Sequence, residues 1–352
     1  MRDLRADKLL LLQAAFASGE QAESARRRWQ GCVDFDAIDA ESQRAVPQLH
    51  LKNTAAASSD SRIQGLYRRA WYSNALLSEQ IKPVRDRLAA DGVRALAAKQ
   101  SAVVAKARGC YPLDRFHLLV ADDDLEKTMT ALRDSGWSSR LPLRRAEAGL
   151  RGINFERGEF LLQLSSLPAL DNGFWGRIER IESDADRAEV PGNADQLLEA
   201  AAPKYIWHQT TLYQRLLETL LVIEHGKQQP DWSTLEHIGA KAGLTLPLAD
   251  ILEYLERDFG VALPNGYLAC LRGTLATRPQ ASEYRLKRQT RSLWQRIRLS
   301  ILEYRSLKEL SVARNEPLSL VDYLKLRWNV SDVKGIVKHV ALRFAKPKRD
   351  PA

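Results

Sequence analysis

Residues 92–137 read GVRALAAKQSAVVAKARGCYPLDRFHLLVADDDLEKTMTALRDSGW, and this stretch decides the fold class. A short β-like run, Val93 to Ala98, leads into Lys99-Gln100-Ser101 and a helical segment of small residues. Gly109 and Pro112 signal a turn, and Phe116 to Val120, rich in large apolar residues, then predicts a second strand. Asp122-Asp123-Asp124 open an amphipathic helix that stops at Gly136. Carboxylates at a helix start satisfy free N–H groups and favour the helix dipole, so capping is the expected role of these three. Strand, helix, strand, helix is an α/β alternation, and the rest of the chain is dominated by helical patterns.

Downstream, Arg140, Arg144 and Arg145 are followed by Gly149, Gly152 and Gly158, a pattern of short strands joined by turns. The clearest strand there is Glu159 to Ser165, with Phe160, Leu162 and Leu164 on its buried face and Glu159, Leu161 and Gln163 on the other. Upstream, helices are predicted over Asp7–Phe16, Glu20–Cys32 and Asp39–His50, then over Arg62–Ala90 with a kink or break at Pro83. From Asn193 onward the pattern is helical: Ala194–Ala202, Thr210–His225, Trp232–Ala242, Leu248–Phe259, Tyr284–Glu309, Leu318–Trp328 and Val333–Phe344. The expected organisation is a helical region over 1–90, an α/β core over 91–190, and a helical region over 191–352 with a basic end. The fold class is α+β, mostly helical, with a small mixed sheet between the two helical regions.

The composition, 45% apolar and 28% charged over 352 residues, is that of a globular protein. No apolar run approaches the length of a membrane span and the N-terminus lacks a signal-peptide pattern, so a cytoplasmic location is expected. Cys32, Cys110 and Cys270, odd in number and widely spaced, argue against a disulfide framework or a zinc site. His208, His225 and His237 lack the i, i+4 spacing of a helical metal pair. Ala281–Ala352 holds 17 Lys or Arg against 7 Asp or Glu, a net of +10, while the other 280 residues sum to −1. That basic end is either a solvated surface or a face for an anionic partner such as RNA or an anionic membrane.

Gly92-Val93, Lys99, Tyr111-Pro112, Leu118-Leu119-Val120, Leu132 and Gly136-Trp137 fall in an order that resembles an uncharacterised nucleotidyltransferase-like family, part of the polymerase-β-like nucleotidyltransferase superfamily. Its members carry roughly GI, LLKGAAL, YP, R, DIDLLV and GW in that order, often beside polysaccharide and peptide natural-product genes. The resemblance implies a polymerase-β-like core, an NTP held at the Lys-Gly turn, and Mg²⁺ held by an Asp-x-Asp pair on the following strand. It also implies nucleotidyl transfer to an acceptor. In this sequence Arg115 and His117 stand where the family has its two aspartates, and Gln100 stands where it has glycine. Leu161 and Gln163 lie over a further Asp-x-His pair of the family.

Arg cannot ligate a hard cation and His is a poor ligand for one, so no metal ligands are assigned. Asp114 is the nearest carboxylate, but alternation with Arg115 predicts that it faces away; Glu159, one pleat from Leu161, is the other substitute. Lys99 with Ser101 is the candidate phosphate turn, Arg115 a candidate anion ligand, and His117 a candidate general base. The leading reading is a nucleotidyltransferase-like protein, degenerate at its metal site, acting as a binding or accessory subunit in a biosynthetic pathway. Its partner there would be a protein or peptide of that pathway. Two alternatives stay open: an active NTP-dependent enzyme with a rearranged metal site, and a basic adaptor on RNA or anionic membrane.

Overall fold

The computed structural model describes residues 4–52, 60–139, 148, 152–167, 172–183, 186–203, 210–226, 230–274, 278–288 and parts of 299–338. Among the described residues four helices come first: α1 (Ala6–Phe16), α2 (Gly19–Cys32), α3 (Ala40–Lys52) and α4 (Ser61–Ala90). Asp60 starts α4, its side chain accepting from the Arg62 N–H at 3.0 Å. The helix then continues through Pro83 to Ala90, so the break expected at the proline does not occur. Val84 and Leu88 beyond it are fully buried, and their packing holds the helix together across the missing N–H.

Six strands form one mixed sheet: β1 (Leu96–Ala97), β2 (Phe116–Ala121), β3 (Ile153–Arg157), β4 (Phe160–Leu167), β5 (Glu179–Ser183) and β6 (Asp186–Val190). Their order is β3-β4-β2-β1-β6-β5. β2 runs parallel to β4, with Phe116 opposite Leu162 and His117 opposite Gln163. β1 is antiparallel to β2 and parallel to β6; the β3–β4 and β5–β6 pairs are antiparallel. Alternation gives the sheet two different faces. Phe116, Leu118, Val120, Leu162 and Leu164 pack with Leu77, Ile81, Val84 and Leu88 of α4, and with Leu125, Met129 and Leu132 of α6 (Leu125–Asp134). His117, Leu119 and Gln163 fall on the opposite face.

The remaining helices are α5 (Gln100–Lys106), the short α7 (Asn172–Trp175), α8 (Asn193–Ala201), α9 (Leu212–His225), α10 (Trp232–Ala242), α11 (Thr245–Phe259), α12 (Tyr267–Gly273) and α13 (Arg278–Arg288). Leu11, Leu12, Val46 and Ile63 from the N-terminal helices share one core with Leu197, Leu216, Leu248 and Leu252. Regions 1–90 and 191–288 therefore meet, although the sequence places the α/β core between them. Arg215 ties this core: it is 6% exposed, and its guanidinium donates to the carbonyls of Ala201 (2.6 Å) and Pro247 (2.9 Å).

Other differences from the sequence reading are local. β1 spans two residues of the six expected, and β4 starts at Phe160, one residue after Glu159. Asp122–Asp124 form a 3-10 turn ahead of α6, and Asp124 makes no side-chain capping bond there. The β5–β6 pair has no counterpart in the sequence reading, since its charged residues carry apolar groups only at Ile181, Ala188 and Val190. The described residues of 299–338 belong to a second compact unit, in which α14 (Leu320–Trp328) follows Ser319, whose Oγ accepts the Asp322 N–H at 3.0 Å. Most of the basic end, with Arg140, Arg144, Arg145, His208 and most of Val333–Phe344, lies outside the described residues. None of the described helices is long and apolar enough to cross a membrane.

Candidate functional site

The non-core face of the sheet borders a pocket of about 320 Å³. One wall is the sheet, with Arg115 and His117 leading into and along β2 and Gln163 on β4. The opposite wall is helical: Arg44 of α3, Gln196 and Glu199 of α8, and Gln214 and Glu218 of α9. Lys99, Gln100, Tyr111 and Asp114 also line it.

Asn74, fully buried on α4, organises the loop that carries Tyr111 and Asp114. Its amide donates to the carbonyls of Arg108 (2.6 Å) and Tyr111 (2.7 Å) and accepts the Leu113 N–H (2.9 Å). One buried amide thus satisfies three backbone groups of an irregular segment.

The candidate residues separate in this frame. Arg115 and His117 both line the pocket, as expected for residues two apart. Asp114 lines it too, contrary to the alternation argument. Asp114 and Arg115 both precede Phe116, the first residue of β2, so strand alternation governs neither, and the Asp114 carboxylate pairs with Arg44. Glu159 is not brought to the pocket: it is exposed in the turn between β3 and β4. Ser101 is also misplaced as a phosphate ligand. It is 2% exposed, and its Oγ accepts the backbone N–H of His117 at 2.9 Å, joining α5 to β2.

Lys99 does line the pocket, in a strained turn. Its φ of 52° and ψ of −133° make it the one non-glycine residue at positive φ among the described residues. Such backbone costs about 1–3 kcal/mol and persists where surrounding structure enforces it. Its Nζ lies 3.8 Å from Glu199 Oε1. The following helix has only seven residues, so the expected phosphate site at its N-terminus reduces to the Lys99 side chain alone.

Electrostatically the two walls differ. Burial, with the charges of Lys99 and Arg115 adding to it, pushes the pKa of His117 down to about 3, against a smaller opposing hydrogen bond with Gln163. His117 is therefore a neutral imidazole at ordinary pH. Its Nδ1 is shielded from water and has no hydrogen-bond partner. Arg115 donates from Nη1 to Asn154 Oδ1 at 3.1 Å, and no carboxylate pairs with it among the described residues. On the helical wall, burial raises the pKa of Glu218, opposed by hydrogen bonds from Gln214 (2.8 Å) and Gln100 and by the charge of Lys99.

Mg²⁺ of the kind the resemblance implies requires convergent carboxylate oxygens. The sheet wall offers a guanidinium, an imidazole and an amide; of the pocket's carboxylates, Asp114 is engaged by Arg44, Glu199 faces Lys99, and Glu218 accepts from Gln214. This donor set does not fit the ion. Among the described residues no group of three or more His, Cys, Asp or Glu is placed to hold a metal.

Comparison with known proteins returns no match: no family model, no curated protein and no solved structure. The site must be read from its own chemistry. Arg44, Gln196, Gln214 and Glu218 were not singled out in the sequence, because each sits in an amphipathic helical pattern where a polar residue reads as surface. Gln163 was placed on the correct face by β alternation alone.

Proposed function

We propose that this chain is a nucleotidyltransferase-like protein that has given up the metal site. It acts as a binding or accessory subunit in a biosynthetic pathway and holds a phosphate-bearing ligand without metal. The observation that carries this reading is the sheet wall: Arg115 and His117 occupy the positions that would need carboxylates, and Arg115 has no acidic partner among the described residues. Guanidinium groups recognise phosphate directly by paired N–H donors. The active-enzyme alternative loses support because Glu159 is exposed outside the pocket and Asp114 is paired with Arg44.

Calorimetric titration tests the reading. Inorganic phosphate or AMP should bind equally with EDTA or with Mg²⁺, Arg115→Gln should weaken that binding, and ATP should not turn over. Stoichiometric tight Mg²⁺ binding, metal-dependent ATP turnover, or phosphate binding indifferent to Arg115→Gln would each sink it.

A further inference from the structure

Helix α4 buries one face in the core and leaves the other uncovered. Trp71 (44%), Tyr72 (61%) and Leu76 (36%) are exposed on it. Among the described residues up to 288, these are the only exposed large hydrophobics. The outward face carries a regular seam. Gly65, Arg69, Tyr72, Leu76, Glu79 and Pro83 are all exposed and follow one another at spacings of four, three, four, three and four. Alternating threes and fours is the repeat of a helical stripe that packs along a second helix.

Charge is ordered along this seam. Arg69 lies in its N-terminal half, Glu79 in its C-terminal half, and Tyr72 and Leu76 between them. Neither Arg69 nor Glu79 has a hydrogen-bond or ion-pair partner among the described residues. About 15 Å of helix separates the two, too far for them to pair with each other. A second copy run antiparallel, about a two-fold axis level with Asn74, sets Arg69 against Glu79, Tyr72 against Leu76, and Gly65 against Pro83. Farther out, Arg62, which Asp60 already engages, falls against Asp86. Arg68 and Lys82 flank the seam.

The charge order selects among occupants. An anionic membrane or a nucleic acid would meet Glu79 and Asp86 as well as Arg69. A match to both halves needs the same charges in reverse order, and an antiparallel copy of α4 supplies them. We infer that α4 is a docking face for a second copy of this chain, paired through Arg69, Tyr72, Leu76 and Glu79 into a symmetric dimer. One helix pair is small beside the ~1,200–2,000 Å² of stable complexes, so the dissociation constant is on the order of 10–100 µM. None of these residues lines the pocket, so this pairing and the phosphate reading stand or fall separately.

Analytical ultracentrifugation of the full chain in low salt, where exposed charges are least screened, tests the pairing. A monomer–dimer equilibrium should appear between about 5 and 500 µM, the range that brackets that constant. Arg69→Glu and Glu79→Arg each replace two opposite-charge contacts by two like-charge ones and should weaken dimerisation about ten-fold or more. Mixing the two variants, or combining both changes in one chain, re-creates the opposite-charge contacts and should restore dimerisation to within about three-fold. Both positions are exposed, so unchanged circular dichroism separates loss of pairing from loss of fold. A chain that stays monomeric to about 500 µM overturns the inference, whether the face then takes phosphatidylserine vesicles, single-stranded RNA or another region of the chain. Dimerisation indifferent to the charge reversals, or not restored on mixing, overturns it as well.

Discussion

The two walls of the pocket are built from the same kinds of residue and use them differently. On the helical side Arg44 is paired with Asp114, and Glu199 faces Lys99 at 3.8 Å; the acceptor of Gln196 apart, polar groups there are largely engaged with the fold. On the sheet side Arg115 reaches only a neutral amide, and His117 keeps a shielded nitrogen without a partner. The strand explains the contrast. A sheet fixes side-chain direction through its backbone hydrogen bonds, so His117 is aimed by its strand and bonds only its neighbour Gln163; helical side chains converging on a gap position one another.

The most severe break of this comparison lies behind each wall. Leu118 under the sheet and Leu216 behind the helices are both fully buried. Truncating either to Ala should cost about 2–5 kcal/mol in denaturant unfolding. A cost below about 1 kcal/mol for one alone would mean that its wall is not anchored by its core.

Protonation should separate the walls next. The His117 pKa is lowered, from 6.5 to about 3, so the unfolded chain binds the extra proton between those values. Its contribution to stability is whole above 6.5 and is lost as pH falls toward 3. The Glu218 pKa is raised, so its contribution is present below the ordinary 4.5 and is lost as pH rises through the folded value. Each effect has a slope of at most about 1.4 kcal/mol per pH unit, and the two have opposite sign. His117→Phe should flatten the acid-side fall in stability, and Glu218→Gln should flatten the fall at higher pH. Melting curves from pH 3 to 8 on both variants give the comparison. Parallel changes would show that the walls are not electrostatically distinct.

Smaller effects sharpen it. Lys99→Gly should relieve the positive-φ backbone and raise stability by about 1 kcal/mol while weakening phosphate binding. Loss of stability would mean that the Lys99 side chain holds the turn. Last, Arg44→Ala should cost up to about 1 kcal/mol of folding stability, since its partner Asp114 is exposed. Arg115→Gln should leave stability within about 0.5 kcal/mol and reduce phosphate affinity. Equal stability losses for the two would erase the division between structural and ligand-facing arginines.

Much of this layout was legible in the chain. Phe116 to Val120, the helix ending before Gly136, and most of the helices keep their expected bounds within a few residues, because each carries a strong apolar period. The weak segments were not legible. Glu179–Val190 pairs as a hairpin with few apolar residues, and Pro83 stays helical because buried neighbours override a local penalty. Within the site, His117 and Gln163 could be placed together by strand period. Asp114, Arg115 and Glu159 lie just outside strand ends, where that period stops, and of these only Arg115 met its expectation.

The sequence by itself determined the α+β class and the central alternation from Gly92 to Trp137. Those follow from residue type and from periods of two and 3.6, which act over a few neighbours. Only the tertiary structure decided that helices from both ends of the chain share one core. It also brought Gln196, Glu218 and His117 to one pocket, and left the buried Gln196 Oε1 and His117 Nδ1 without partners. Contacts between residues some eighty to one hundred positions apart depend on how whole faces pack, and no local pattern encodes which polar side chain will end at the same gap.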